Sequence, residues 1–269
     1  MTNIMIKPIT DAAGCTAVEH LQIDAWHMDD NLEVVPGHML LTFHKNGGVL
    51  LGAYAGGRLV GFVAGFVGLM GDGRFKHASH MMGIHPNFQG QGIGTRLKLA
   101  QRQAVQQQGL DLITWTYDPL ETANARLNIR KLGAVCRTYI TNLYGEIVGI
   151  NAGLPSDRFQ VEWHINSAHV ANRLAGNDAG ETAVPKHLIL NVVGENGRPP
   201  ETTRSPSEDC HFVQIPANIQ ALKAQDMPLA RAWRQHTRQL FTDLFTKGYA
   251  VTDFVGENGR TFYQLLPYQ

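Results

Sequence analysis

The densest chemistry in the chain lies in residues 75–108, FKHASHMMGIHPNFQGQGIGTRLKLAQRQAVQQQ. Gly90, Gly92 and Gly94 alternate with Gln91 and Ile93 just before a helical pattern begins. The first amides of a helix have no intrahelical partner, and glycine lets a ligand approach the backbone with no Cβ in the way. The helix dipole adds attraction for an anion. The corner Gln89–Thr95 therefore reads as a cradle for a pyrophosphate. Two other phosphate cradles are excluded by spacing. A dinucleotide fingerprint needs G-x-G-x-x-G with a later carboxylate, and a P-loop needs a lysine where Thr95 directly follows Gly94. His77, His80 and His85 flank the apolar run Met81–Ile84 and supply imidazoles suited to proton exchange near neutral pH. His80 lies an odd number of residues from each of the others, so on a regular strand it faces away from both. Only a bulge would change that.

The elements that must position these groups follow from periodicity. Phe75–Ile84 reads as a strand, His85-Pro86-Asn87 as a turn, and the next segment as a helix with Ile93, Leu97, Ala100 and Ala104 along one face. Upstream come a strand at Ile4–Ile9 and a helix at 12–25. Trp26-His27-Met28-Asp29-Asp30 breaks it, and a second helix starts near Pro36 and stops at Gly47-Gly48. Val49–Ala55 and Leu59–Gly68 form a hairpin around Gly56-Gly57-Arg58. Downstream, Asp111–Tyr117 is a strand separated from the previous one by a helix, as in a parallel crossover. Asp118, Pro119 and Glu121 then signal a helix start, with Ala125, Ile129 and Leu132 on its buried face and Gly133 as its stop. Ala134–Thr141 and Glu146–Ile150 extend the sheet, giving about six strands with helices between them, an α/β domain.

The remainder is less regular. Phe159–Ile165, His187–Val193 and Phe212–Ile215 read as strands, and 194–209 as an exposed loop. Asp226 caps a long helix, Pro228–Lys247, and Tyr249–Val255 pairs with Thr261–Leu265 in a hairpin. Arg231, Arg234 and Arg238 share one face of that helix, and the plainer reading is a solvated face.

Bulk composition narrows the partners. Lys plus Arg and Asp plus Glu are 23 each among 269 residues, so net charge gives no reason to expect nucleic acid or an acidic membrane as partner. Cys15, Cys136 and Cys210 are few and far apart, which fits neither a disulfide framework nor a Cys-pair metal motif, and no metal is expected. MTNIMIKPIT lacks the pattern of a signal peptide, and no run is long enough to span a membrane, so a cytoplasmic location is expected.

Gln89-x-x-Gly92-x-Gly94 after a strand, with the block Asn124-Ala-Arg-Leu-Asn-Ile-Arg-Lys-Leu-Gly133, resembles the GCN5-related N-acetyltransferase (GNAT) superfamily. The resemblance covers roughly residues 4–150. It implies a GNAT acyl-CoA N-acyltransferase fold, a mixed central sheet with helices on both faces, over 1–165. A smaller α+β extension would occupy 166–269 and cover the acceptor cleft or form a dimer surface. It implies acetyl-CoA or another acyl-CoA as cosubstrate. The amides of Gln89, Gly90, Gln91, Gly92, Ile93, Gly94 and Thr95 would hold its pyrophosphate. The main chain of Met82, Gly83 and Ile84 would run along the pantetheine arm, which Asn124 or Asn128 would touch. His80 takes the place of the base. The tyrosine that many members use as acid is Ile129 here, so Tyr117 is the candidate substitute. Trp26, His27, Asp29 and Asp30 become candidate contacts for the acceptor, an amine of a small molecule or amino acid. The competing implication is a GNAT module that binds acyl-CoA as a sensor with little catalysis. The Tyr117-Asp118-Pro119-Leu120 turn, the Pro155-x-Asp157-Arg158-Phe159 segment and the Trp233-Arg234 helix resemble a little-characterised bacterial group of acetyltransferases with such an extension.

Overall fold

A computed structural model describes residues 3–28, 32–145, 153–177, 183–194, 197–206 and 209–268. Asp29, Asp30 and the strand expected at Glu146–Ile150 lie outside the described residues. The chain groups into two compact units, one running up to Trp115 and the other from Thr116 on. That division differs from the one expected at 165/166. Its physical reason is strand pairing, because Cys136 pairs with Val251 and draws the segment after 116 into the C-terminal sheet.

The first unit is a mixed sheet with helices on both faces. β1 (Ile4–Pro8), β2 (Val49–Ala55), β3 (Arg58–Leu69) and β4 (Phe75–Ile84) are successive antiparallel neighbours. β5 (Leu112–Tyr117) joins β4 in parallel. α1 (Ala12–Trp26) starts at Asp11, whose carboxylate accepts from Gly14 N at 2.8 Å, and α2 (Gly37–Lys45) follows Pro36. Both lie on one face, where Val18, Leu21, Leu40, Phe62 and Ala64 form a core cluster with Met81 packed against it. α3 (Ile93–Gln107) lies on the other face, and a Cβ on Gly61 would touch Ile93 and Leu97 there. The buried stripe of α3 is Ile93, Gly94, Leu97, Lys98, Gln101 and Val105, with Ala100 and Ala104 only half-buried. The helix is thus rotated from the apolar face read in its sequence, and two polar residues point inward.

The second unit is α+β. Its strands, β6 (Val135–Ile140), β7 (Arg158–His164), β8 (His211–Ile215), β9 (Tyr249–Glu257) and β10 (Arg260–Pro267), run in the order β7-β6-β9-β10-β8. The segment at 187–193 forms a short 3-10 turn, Lys186–Leu188, and one bridge from Ile189 to Phe212. The helix expected from Asp118 begins later. Asp118 Oδ1 accepts from Leu120 N at 2.8 Å, α4 covers only Thr122–Ala125, and the turn widens into a π-helix over Arg126–Lys131. Gly133 ends it at φ 72°, and Ile129 and Leu132 are fully buried. α5 (Ala168–Leu174) and α6 (Ile219–Gln225) are short. α7 (Met227–Thr246) is capped by Asp226, as its sequence signalled, and buries Phe241 against Phe159 with ring centroids 4.8 Å apart.

One close approach holds β3 to β4. A Cβ on Gly65 would sit 2.6 Å from Ala78 O and overlap His77 Nε2. Both neighbours are fixed, one by the backbone and one by burial. Gly65→Ala is therefore expected to destabilise the chain by about 2 kcal/mol through overpacking. A denaturant midpoint that does not fall in a urea titration would refute this.

Candidate functional site

The glycine corner sits at the C-terminal end of β4 and is exposed from Gln89 to Gly92. Gly90 and Gly92 adopt φ of 74° and 77°, the left-handed region, and a Cβ at either would meet nothing within 4 Å. Backbone conformation, then, is what selects glycine there. Gly92 is the N-cap of α3, and the first helical bond runs from Arg96 N to Gly92 O at 3.2 Å. The amides of Ile93, Gly94 and Thr95 precede that bond and have no carbonyl behind them in the helix. Two glutamine side chains fasten the corner. Gln89 Nε2 donates to Ile84 O at 3.1 Å and Gln91 Nε2 to Asn87 O at 3.2 Å. Gln89 N itself donates to Pro86 O at 3.2 Å, so the open amides start after it. Arg96 Nη2 donates to Ile4 O, 2.6 Å away, which ties α3 to β1.

β4 carries a bulge at His80. Ala64 pairs with Met81 and Gly65 with Ser79, so His80 is an extra residue with no partner on β3. Paired residues share a face, so His77, Ser79, Met82 and Ile84 face α3, while Met81 and Gly83 face α1 and α2. The bulge places His80 on this second side too, with its ring 6.2 Å from that of Phe66. His80 and His85 thus share a face despite their odd separation. The His80 tip is exposed, yet packing lowers its pKa below 6.5 by desolvation, leaving a neutral imidazole at pH 7. Beside His80 the parallel pairing with β5 joins only His77 to Ile113 and Ala78 to Thr114, while β4 continues through Ile84.

A shallow cavity of about 440 Å³ lies at the end of this strand, where His27 meets His85 and Asp24. His85 Nε2 stands 3.9 Å from Asp24 Oδ2. His27 reaches it because it closes α1 in the left-handed conformation, φ 51°. Trp26 turns instead to Phe62 in the core, centroids 5.9 Å apart and edge-on. Of the expected acceptor contacts, then, His27 lines a cavity and Trp26 packs. Asp24 and His85 were not among those candidates, since neither is distinguished in sequence from a helix-surface or turn residue.

Beneath the strand lies a polar network that sequence reasoning missed entirely. Lys98 is 3% exposed and donates to Ser79 Oγ at 2.8 Å and Gln101 Oε1 at 3.2 Å. Its ammonium also sits 3.8 Å from the centre of the Trp115 ring. Ser79 Oγ donates to Gln101 Oε1 at 3.0 Å. With its oxygen so occupied, Gln101 turns its amide nitrogen to His77 Nε2, 3.1 Å away, which must accept. The His77 proton therefore belongs on Nδ1, and the ring is neutral. Desolvation, aided by Lys98, lowers the His77 pKa to about 4. Desolvation lowers that of Lys98 to about 7. The readable signal was the helical spacing of Gly94, Leu97, Lys98, Gln101 and Val105, which puts two polar groups on an inward stripe.

The other expected site residues belong to the second unit. Tyr117 is 5% exposed, with its hydroxyl 3.1 Å from that of Tyr263, which donates to Pro119 O at 2.8 Å. Burial and Tyr263 push its pKa well above 10. It sits in the core with its hydroxyl engaged. Asn124 is exposed on α4, and Asn128 is buried in the π turn, where its carbonyl accepts from Ala134 N at 3.0 Å.

Residues 15–134 match the family model described as Acetyltransferase (GNAT) family. No curated protein matches the chain. Among solved structures, the chain is similar to the ribosomal-protein-S18-alanine N-acetyltransferase from Escherichia coli. The identity is 15%, the TM-score 0.49, and the match covers 62% of this chain and 96% of that one. For an N-acetyltransferase from Staphylococcus aureus Mu50 the figures are 16%, 0.49, 61% and 100%. For an acetyltransferase of the GNAT family from Streptococcus pneumoniae they are 16%, 0.47, 60% and 98%.

The buried histidine gives the first unit a definite acid response. The unfolded chain takes up a proton on His77 below pH 6.5, and the folded chain only below about 4. Stability is full above pH 6.5 and falls as pH drops through this window, by roughly 3 kcal/mol from this group. Denaturant titrations at pH 6.5 and 4.5 should show the loss, and His77→Met should flatten it. An equal acid loss in the variant would assign the effect to other groups.

Proposed function

We propose, from the match of residues 15–134 to the GNAT acetyltransferase family model, that the chain is an acyl-CoA-dependent N-acyltransferase, with acetyl-CoA as the preferred donor and an amine as acceptor. The observation that carries this reading is the exposed corner after β4, where left-handed Gly90 and Gly92 precede the unpaired amides of α3. Those amides and the helix dipole favour a diphosphate. The thioester arm then follows β4 from Ile84 and Gly83 back toward the bulge, along the stretch that β5 leaves unpaired. An irregularity in the strand frees backbone amides to stabilise charge developing on the thioester oxygen.

His80, at that bulge, acts as the base that takes a proton from the acceptor nitrogen as the neutral amine attacks the thioester carbon, directly or through water. A pKa held below 6.5 keeps it unprotonated at neutral pH. No acid is assigned. Ile129 is fully buried and carries no proton to give, and the Tyr117 hydroxyl is committed to Tyr263. The thiolate leaves unassisted, which is feasible for a thiol whose pKa is near 8.5. The same two observations favour the second reading, an acyl-CoA-binding module with little turnover. The acceptor is a small amine or amino acid, and the His27, Asp24 and His85 cavity offers it a carboxylate and two imidazoles.

Calorimetry with acetyl-CoA tests the cradle, and free-thiol release with a panel of amines separates the enzyme from the binding module. His80→Ala should lower turnover about 100-fold, the usual worth of a general base, while leaving acetyl-CoA affinity within about twofold. The acid limb of the wild-type pH–rate profile, with a midpoint below 6.5, should vanish in the variant. Unchanged turnover in His80→Ala would remove this residue from the mechanism.

A further inference from the structure

The second unit contains a cavity of about 720 Å³ lined by α7 on one side and by Asn142, Gly145 and residues 153–155 on the other. Arg231, Arg234 and Arg238 line it from successive turns of the helix, with Asn142 opposite. Arg234 is 2% exposed. One of its terminal nitrogens donates to Asp118, but Nε and Nη1 are buried with no hydrogen-bond partner. A buried guanidinium with unmade hydrogen bonds is costly, more so than a neutral group in the same position. The count of charges in and just behind the wall points the same way. Asp157 is saturated, taking Arg238 Nε and Nη2 at 2.8 and 2.7 Å, the Tyr139 hydroxyl at 2.7 Å and Asn142 N at 3.0 Å. Asp118 faces Arg234 and, at 3.9 Å, Arg158. Two carboxylates thus stand against four guanidiniums, counting Arg231, which is exposed at the rim. Further out, Glu121 and Lys223 oppose one another and leave the excess in place.

We propose that this cavity binds a small molecule through an oxyanion, a carboxylate or phosphate group that completes the hydrogen bonds of Arg234 between Arg231 and Arg238. Water alone would satisfy the donors but not the excess positive charge, and guanidinium is the side chain best matched to a carboxylate or phosphate. The volume suits a ligand larger than the anion itself. This proposal does not rest on the acyl transfer proposed above.

The test is calorimetry on the full chain at pH 7 with inorganic phosphate, with acetate and with a panel of α-amino acids. Saturable one-to-one binding of at least one of these is expected, weakening as sodium chloride is added. Arg234→Gln should weaken it about 10- to 100-fold, the worth of hydrogen bonds to a charged group. Arg231→Gln, at an exposed position, should weaken it about threefold and decides alone if Arg234→Gln does not fold. Phosphate binding that acetyl-CoA abolishes and that neither variant weakens belongs to the glycine corner and counts against this cavity, whereas binding that persists with acetyl-CoA and weakens in the variants supports it. No saturable binding by the wild-type chain, or wild-type affinity in both variants, overturns the site. Failure of acetyl-CoA to bind would touch only the acyltransferase reading.

Discussion

A buried ammonium with no carboxylate beside it holds α3 against β4. Lys98 reaches through the helix–sheet interface to Ser79, Gln101 and the face of Trp115, and Gln101 relays the contact to His77. Desolvating such a charge is expensive, and only a full set of hydrogen bonds and an aromatic face make it tolerable. The network therefore fixes the helix in one position along the strand. That position also sets where the amides at the start of α3 point and where β4 parts from β5. Apolar packing at Ile93 and Leu97 supplies adhesion, but apolar contacts slide more readily than a chain of directed hydrogen bonds.

Much of this frame was legible in the sequence because local signals and tertiary structure agree. Asp226 caps the helix it announced, Gly133 stops its helix, and the Gly56-Gly57 hairpin forms. The corner itself was readable because positive φ leaves a glycine signature. Other features were not. The bulge at His80 has no composition of its own, being a mismatch between two strands that neither strand records. Lys98 and Gln101 look like surface residues until the phase of the helix is known. The π turn shifted Asn128 inward, where an α-helical count gave no warning. Asp118 has the composition of a cap, but it serves Leu120 N and Arg234, a partner more than a hundred residues away that no local pattern encodes.

The second unit relies on charge in a different way. Asp253 receives Arg130 at 2.6 Å and Arg173 at 3.1 Å, and Asp157 receives Arg238, so carboxylates there organise guanidiniums from distant segments. Pairs of this kind add little net stability over apolar packing, but losing one partner is costly because the other stays buried and uncompensated. Geometry is what they specify. Beside the aromatic cluster of Phe159, Phe241 and Tyr263, the Asp157–Arg238 pair helps to set which face α7 turns inward.

The extra residue in β4 also determines how this chain tolerates change in length. Strands have a period of two, and the residues flanking position 80 already pair with successive residues of β3, so removing His80 would restore unbroken pairing and leave every other side chain on its present face. Removing Gly83 instead would take up the bulge but set Met82 opposite Phe62, where a Cβ at the present glycine would already come within 2.6 Å of that ring. A one-residue deletion is therefore absorbed at the bulge, where only the imidazole is lost, and is damaging three residues further on. Lengthening a loop such as 70–74 would leave the strand's phase untouched.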